Sequence, residues 1–200
     1  MTVELSEAEA RRLSLFDTLF VETAAHTNLV ARSTLPDRAE RHYEDSHQVW
    51  PLVPEEARSL LDIGSGAGFP GLLLANLALD RRPALRATLC DSVGKKARFL
   101  SAAIETMGLG NAEATERRAE ALGRRFDVIT ARAVTALPAL LDLAVPLLAP
   151  GGTMIFPKGA RADEELEQAK ASWRLTAKRV KSHTDPQASL LVLTDPERRP

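Results

Sequence analysis

The sequence predicts an α/β fold: a mostly parallel seven-stranded sheet with helices, an antiparallel C-terminal hairpin and a helical N-terminal extension. Three observations predict it. The segment from Leu60 to Gly71 reads as a buried strand, a glycine turn and a helix start. From Arg58 onward short β-prone runs alternate with helical stretches, the pattern of a parallel sheet covered by helices. The last two β-prone runs are linked only through Asp185-Pro186-Gln187, which suits an antiparallel hairpin and not a crossover.

The elements follow in order. Leu5 to about Ala31 reads as helix, with Leu13, Phe16, Leu19, Phe20, Leu29 and Val30 forming its apolar stripe. Pro36 starts a break, and Asp37 to Trp50 reads as a second helical stretch ended by Pro51 and Pro54. These two make an extension over residues 1–57. The sheet domain then spans 58–195, with strands near 59–63, 87–90, 113–115, 126–131, 151–156, 175–182 and 189–194. Its helices fall near 70–79, 95–107, 136–148 and 162–173. The polar residues 196–200 read as a disordered tail.

Bulk properties narrow the class. Two hundred residues suit one domain with a full core and a small terminal extension. The N-terminus is acidic and has no apolar core, so it does not read as a signal peptide. No apolar run reaches membrane-spanning length. The single cysteine, Cys90, excludes an intramolecular disulfide and fits a reducing cytoplasm, where it reads as a small core residue. A formal net charge of −1 gives no support to an extensive nucleic-acid surface. Basic groups at Arg117-Arg118, Arg124-Arg125 and Arg174 with Lys178, Arg179 and Lys181 remain candidates for a small patch, against a default of solvated surface.

The chemistry concentrates in the glycine turn. Gly64, Gly66 and Gly68 stand directly after a buried strand that carries Asp62. A dinucleotide site wants G-x-G-x-x-G. Here the third glycine comes one residue early and Phe69 takes its place. G-x-G-x-G after an acidic residue is instead the pattern of S-adenosylmethionine (AdoMet) methyltransferases, whose cofactor has no phosphate to cradle. Asp91 ends the second strand, where a carboxylate can accept hydrogen bonds from both ribose hydroxyls. A helix-capping role for Asp91 is the alternative.

Several chemistries are disfavoured. Methylation of pyrimidine C5 needs a cysteine nucleophile, and Cys90 lies on the cofactor side. Exocyclic amines are commonly served by a D/N-P-P-aromatic tetrapeptide after the fourth strand. The chain has Ile129-Thr130-Ala131-Arg132-Ala133-Val134 there. A ring nitrogen with a free lone pair needs no general base, and none is obvious. His26, His42, His47 and His183 form no metal motif, and surface or capping roles are their default. An NAD-dependent oxidoreductase is an alternative that the glycine spacing opposes.

The same residues resemble the RsmG/GidB family, bacterial 16S ribosomal RNA guanine-N7 methyltransferases. The likeness is carried by Asn28-Leu29, Arg41-His42 with Asp45-Ser46, the block Asp62 to Gly71, Asp91-Ser92 with Gly94-Lys95-Lys96 and Phe99-Leu100, Ala131-Arg132-Ala133, and Gly151-Gly152 with Lys158-Gly159. Thr23 stands where that family often has tryptophan. The resemblance implies a Rossmann-like class I AdoMet-dependent methyltransferase fold and methyl transfer to N7 of a guanine in the small ribosomal subunit or its precursor. It implies cofactor contacts at Gly64 and Phe69, with Ala119-Glu120 near the adenine and Arg132 at the cofactor–substrate boundary, beside the contacts that the motif itself suggests at Asp62, Gly66, Gly68 and Asp91. It points to Asn28, His42 and Lys158 on the substrate side, and to a cytoplasmic monomer with no bound metal and no membrane partner. A non-catalytic AdoMet-binding module of ribosome assembly is the remaining alternative.

Overall fold

A computed structural model describes residues 3–199. Seven strands form one sheet in the order β3-β2-β1-β4-β5-β7-β6. They are β1 (Ser59–Ile63), β2 (Arg86–Cys90), β3 (Ala112–Thr115), β4 (Phe126–Ala131), β5 (Leu148–Lys158), β6 (Trp173–Lys181) and β7 (Ser189–Arg198). The first five run parallel, and β7 pairs antiparallel with both β5 and β6. Chain order reverses between β1 and β4, so a crevice opens beyond their C-terminal ends.

Side chains alternate along β1 and serve two cores. Leu60 packs with α1 (Glu7–Ala24), α3 (Gly71–Arg81) and α4 (Gly94–Met107) on one face. Leu61 and Ile63 pack with α5 (Leu137–Ala144) and α6 (Ala162–Lys170) on the other. Each fully buried leucine contributes roughly 1.5–3 kcal/mol. Helix α3 is buried over nearly all its surface, from Gly71 to Ala78. It lies between the sheet and the N-terminal segment, which explains its lack of a polar face.

The N-terminal segment differs from a pair of regular helices. Ser6 and Glu9 form a reciprocal capping box that starts α1. The helix ends at Ala24, short of the expected Ala31, so Leu29 and Val30 sit in the loop beyond it. Residues 37–50 are not one helix either. Ala39–Glu44 forms a π-helical turn, and Asp45–His47 (α2) a single α-turn. Trp50–Leu52 is a 3₁₀ turn that carries Pro51 in its first positions. Wide and tight turns in succession rotate more than one face of the segment inward. His42 and His47, expected at the surface, are therefore both buried.

The C-terminus also departs from expectation. β7 continues through Arg198, so residues 196–198 are strand and not disordered tail. Pairing of Trp173 with Arg198 and of Arg174 with Glu197 holds them. Pro200, like Met1 and Thr2, lies outside the described residues. Helix α6 stops at Lys170 because Trp173 already enters β6.

Candidate cofactor and substrate cleft

A cleft of about 1070 Å³ lies at the β1–β4 crevice. Its floor is the glycine turn, and its walls are the N-terminal segment, the turn after β4, the end of β5, and the loop from β6 into the start of β7.

The turn is held from below by two carboxylates. Asp62 is fully buried; it accepts from Thr130 Oγ1 at 2.7 Å and from the Gly71 N–H at 3.2 Å. Burial pushes its carboxyl up to about 6 against those hydrogen bonds. It fixes the turn to the start of α3 and does not line the cleft. Asp91 accepts from the Gly66 N–H at 3.0 Å and the Val93 N–H at 2.8 Å. An ionised carboxylate has about four acceptor positions, so further donors can still bind it.

The glycines have different reasons to be glycine. A Cβ at Gly64 would lie 2.7 Å from Val134 Cγ2, because the turn after β4 crosses it closely. At Gly68 it would collide with Leu72. At Gly66, with φ +57°, it would meet only the Gly64 carbonyl at 3.8 Å. The backbone there faces open space, which suits a ligand lying against it.

Phe69 links this floor to the N-terminal segment. Its ring packs edge-on to Phe16 and Phe20 of α1. His42 stacks on it, with centroids 5.0 Å apart and planes 12° from parallel. The Arg132 guanidinium lies 5.2 Å from the same ring. Ala133, at φ 55°, turns the chain sharply after Arg132. A left-handed residue with a Cβ costs about 1–2 kcal/mol.

Hydrogen bonds fix the state of His42. Arg132 can only donate, so its 3.1 Å contact makes His42 Nδ1 the acceptor. The proton is then on Nε2, 2.9 Å from Thr34 Oγ1, which in turn donates to the Ala31 carbonyl at 2.7 Å. Burial, with the Arg132 charge adding to it, pushes the imidazole down to about 4. His42 is thus a neutral ring with both nitrogens engaged.

Arg132 is anchored further by Asp45 at 3.1 Å and by the Arg41 carbonyl at 3.1 Å. Asp45 also accepts from Gln48 at 2.8 Å and Thr184 at 3.0 Å, tying the N-terminal segment to the loop after β6. Lys158 forms a second bridge. Its ammonium donates to the Thr135 carbonyl and to Glu165, both at 2.9 Å. Burial raises the Glu165 pKa, but Lys158 and the Leu137 N–H outweigh it and hold the carboxyl below its ordinary value.

Of the residues singled out from the sequence, Gly64, Gly66, Phe69, Arg132, His42 and Lys158 line this cleft. Asp62, Gly68 and Asp91 support it without lining it. Ala119 and Glu120 follow β3, Ala119 buried and Glu120 exposed. Asn28 is exposed beside Leu29, which does line the cleft. Cys90 is buried, donates to the Arg117 carbonyl and has its thiol pushed up to about 11 by burial. Thr34, Gln48, Glu165 and Thr184 were not signalled by the sequence, because their partners lie far along the chain.

Comparison with known proteins places this geometry among methyltransferases. The family model for rRNA small subunit methyltransferase G matches residues 9–191. Ribosomal RNA small subunit methyltransferase G of Rhodospirillum centenum is 42% identical over 92% of this chain and 83% of its own length. Its counterpart from Acidiphilium cryptum is 40% identical over the same shares of the two chains. Among solved structures, an O-methyltransferase from Bacillus cereus in complex with SAH has a TM-score of 0.58 at 16% identity, covering 96% of this chain and 93% of that one. The N-methyltransferase NodS from Bradyrhizobium japonicum, in complex with S-adenosyl-L-homocysteine, has a TM-score of 0.57 at 19% identity over 93% of this chain and 98% of that one. These structures share the fold.

Proposed function

The chain belongs to the rRNA small subunit methyltransferase G family, and from that membership we propose that its cleft serves methyl transfer from AdoMet to N7 of a guanine in 16S rRNA. An AdoMet-dependent rRNA methyltransferase is the activity of the family. The guanine, its N7 atom, a small-subunit or precursor context, a monomeric enzyme and a cytoplasmic location are the finer parts of the proposal. No described helix is long and apolar enough to cross a membrane.

One observation carries the choice of N7: the candidate proton acceptors packed on Arg132 and Lys158, namely His42, Asp45 and Glu165, are all engaged by them, which leaves Asp185 in the loop after β6 as the one cleft carboxylate without a cation among the described residues. Both His42 nitrogens are engaged, and Glu165 is held ionised by Lys158. Cys90 is buried outside the cleft. N7 of guanine has a lone pair and no proton to lose, so alignment and electrostatics suffice.

The residues fit the cofactor. Gly66 leaves room against the backbone, and Asp91 beneath it retains acceptor capacity for ribose hydroxyls. When bound, AdoMet supplies an electrophilic methyl group on a sulfonium. Arg132, pinned by Asp45 and His42, orients groups at the mouth of the glycine turn without exchanging a proton. Phe69 and the aromatic side chains behind it exclude water from the floor.

Labelled AdoMet supplied with deproteinised rRNA and, separately, with intact small subunits tests the proposal. Label is expected in RNA from at least one preparation. AdoMet binding with no transfer to either would favour a non-catalytic module instead.

A further inference from the structure

The basic groups prominent in the sequence are not the ones the cleft presents. Arg124 is ion-paired with Glu113, Arg174 with Glu197 and Arg179 with Asp163. None of these arginines lines the cleft. Five other cations do: Arg41, Lys96, Arg132, Lys158 and Arg161. Three carboxylates face them: Asp45, Glu165 and Asp185. Asp45 holds Arg132, Glu165 holds Lys158, and Asp185 accepts from the Gln187 N–H. The side chains of Arg41, Lys96 and Arg161 make no hydrogen bond or ion pair among the described residues.

These three cations come from three separate elements. Arg41 lies on the π-helical turn, Lys96 in the first turn of α4, and Arg161 at the start of α6. The cleft therefore carries a local surplus of two positive charges on a chain whose formal net charge is −1. Outside the cleft seven arginines are ion-paired and ten are not, so what sets these three cations apart is their convergence on one opening from separate elements. Unpaired cations spaced around a cleft suit a polyanion that passes over it, with successive phosphates meeting successive side chains.

We infer that Arg41, Lys96 and Arg161 form a phosphate-binding frame around the cleft mouth, which clamps the RNA backbone on either side of the target nucleotide. The inference rests on the rRNA methyltransferase reading above and adds where the strand is held. The contacts are to phosphate, so they set affinity and position without reading sequence. They also release counterions, and this gives a specific signature. For single strands, the slope of log affinity against log salt falls by about 0.7 for each phosphate contact removed.

The experiment measures binding of deproteinised small-subunit rRNA across a salt series, with AdoMet titration as a control for folding. Arg41→Ala, Lys96→Ala and Arg161→Ala are each expected to lower the slope by about 0.7, and the triple variant by about 2. The triple variant is expected to bind RNA at least about tenfold more weakly at moderate salt. Its AdoMet affinity is expected to stay within about twofold of the parent. Lys178→Ala and Arg174→Ala, on β6 away from the cleft lining, are expected to leave the slope unchanged. A triple variant with the parental slope would overturn the frame, as would a slope lost on changing Lys178 or Arg174. A parent protein that shows no salt-sensitive RNA binding would instead remove the RNA reading on which the frame rests.

Discussion

At Gly66 a β-carbon would meet only the Gly64 carbonyl, at 3.8 Å, whereas at Gly64 and Gly68 it would strike side chains below 3 Å. The position therefore separates ligand approach from internal packing. Gly66→Val is expected to weaken AdoMet by at least about tenfold, on the order of 1.4 kcal/mol. Its positive φ adds a stability loss of roughly 1–2 kcal/mol, so the fold should survive. Isothermal titration of the folded variant checks this, and unchanged affinity would mean that the turn is not the cofactor floor. Asp91 is a sharper case, since it already caps two backbone N–H groups. Asp91→Ala is expected to weaken AdoMet and S-adenosylhomocysteine alike, by roughly 1.5–3 kcal/mol, because both carry the same ribose. Loss of stability with no change in either affinity would leave Asp91 as a cap alone. Arg132→Ala should lower kcat/KM without adding an ionisation to the pH profile, because neither Arg132 nor His42 exchanges a proton in the step.

At the scale of elements, the cleft is closed by two bridges between segments distant in sequence. Asp45 ties the N-terminal segment to Arg132 after β4 and to Thr184 after β6. Both members of its ion pair are less than one-fifth exposed, so removing one strands the other in a poorly solvated place. Asp45→Ala is expected to cost about 2–3 kcal/mol in chemical denaturation and to lower methyl transfer. A change within about 0.5 kcal/mol would mean that the bridge is not formed in solution. Such bridges mark the limit of sequence reading. The order of strands and helices was legible from Leu60 to Leu193, because alternation and glycine punctuation are local signals. The glycine turn, Asp91 and Arg132 were legible because they stand at strand ends. The N-terminal segment was not, because its turns are dictated by burial against α1, α3 and Phe69 and not by a regular period. His42 shows the consequence. A period of 3.6 residues gave no reason to bury it, yet Phe69, Thr34 and Arg132 enclose it. The free cations Lys96 and Arg161 were hidden for a related reason, since only the folded chain shows which basic groups lack a partner.

The whole molecule joins its N-terminal extension to the sheet through one continuous core, from Phe16 and Phe20 to Leu60 and Leu89. The buried histidines make that union sensitive to acid. Burial lowers His42 and His47 to about 4 from an ordinary value of 6.5. Between those limits the unfolded chain binds more protons at both, so stability rises with pH. Each histidine adds up to about 1.4 kcal/mol per pH unit. Asp62, raised to about 6, acts in the opposite direction over most of that window, below pH 6, and offsets about one of the two histidines there. The net expectation is stability fully present above pH 6.5 and lost as pH falls toward 4, measured by denaturant titration at several pH values. A flat profile would mean that the histidines are solvated. The same union places His42 and Arg132 against Phe69, an arrangement that fits a methyl acceptor with no proton to lose. Mapping the modified base tests that most directly. RNA treated with enzyme and AdoMet, then reduced and exposed to aniline, is expected to show one new cleavage at a guanine, absent when AdoMet is omitted. A methyl label found on an exocyclic amine or a ribose, with no labile guanine, would contradict it.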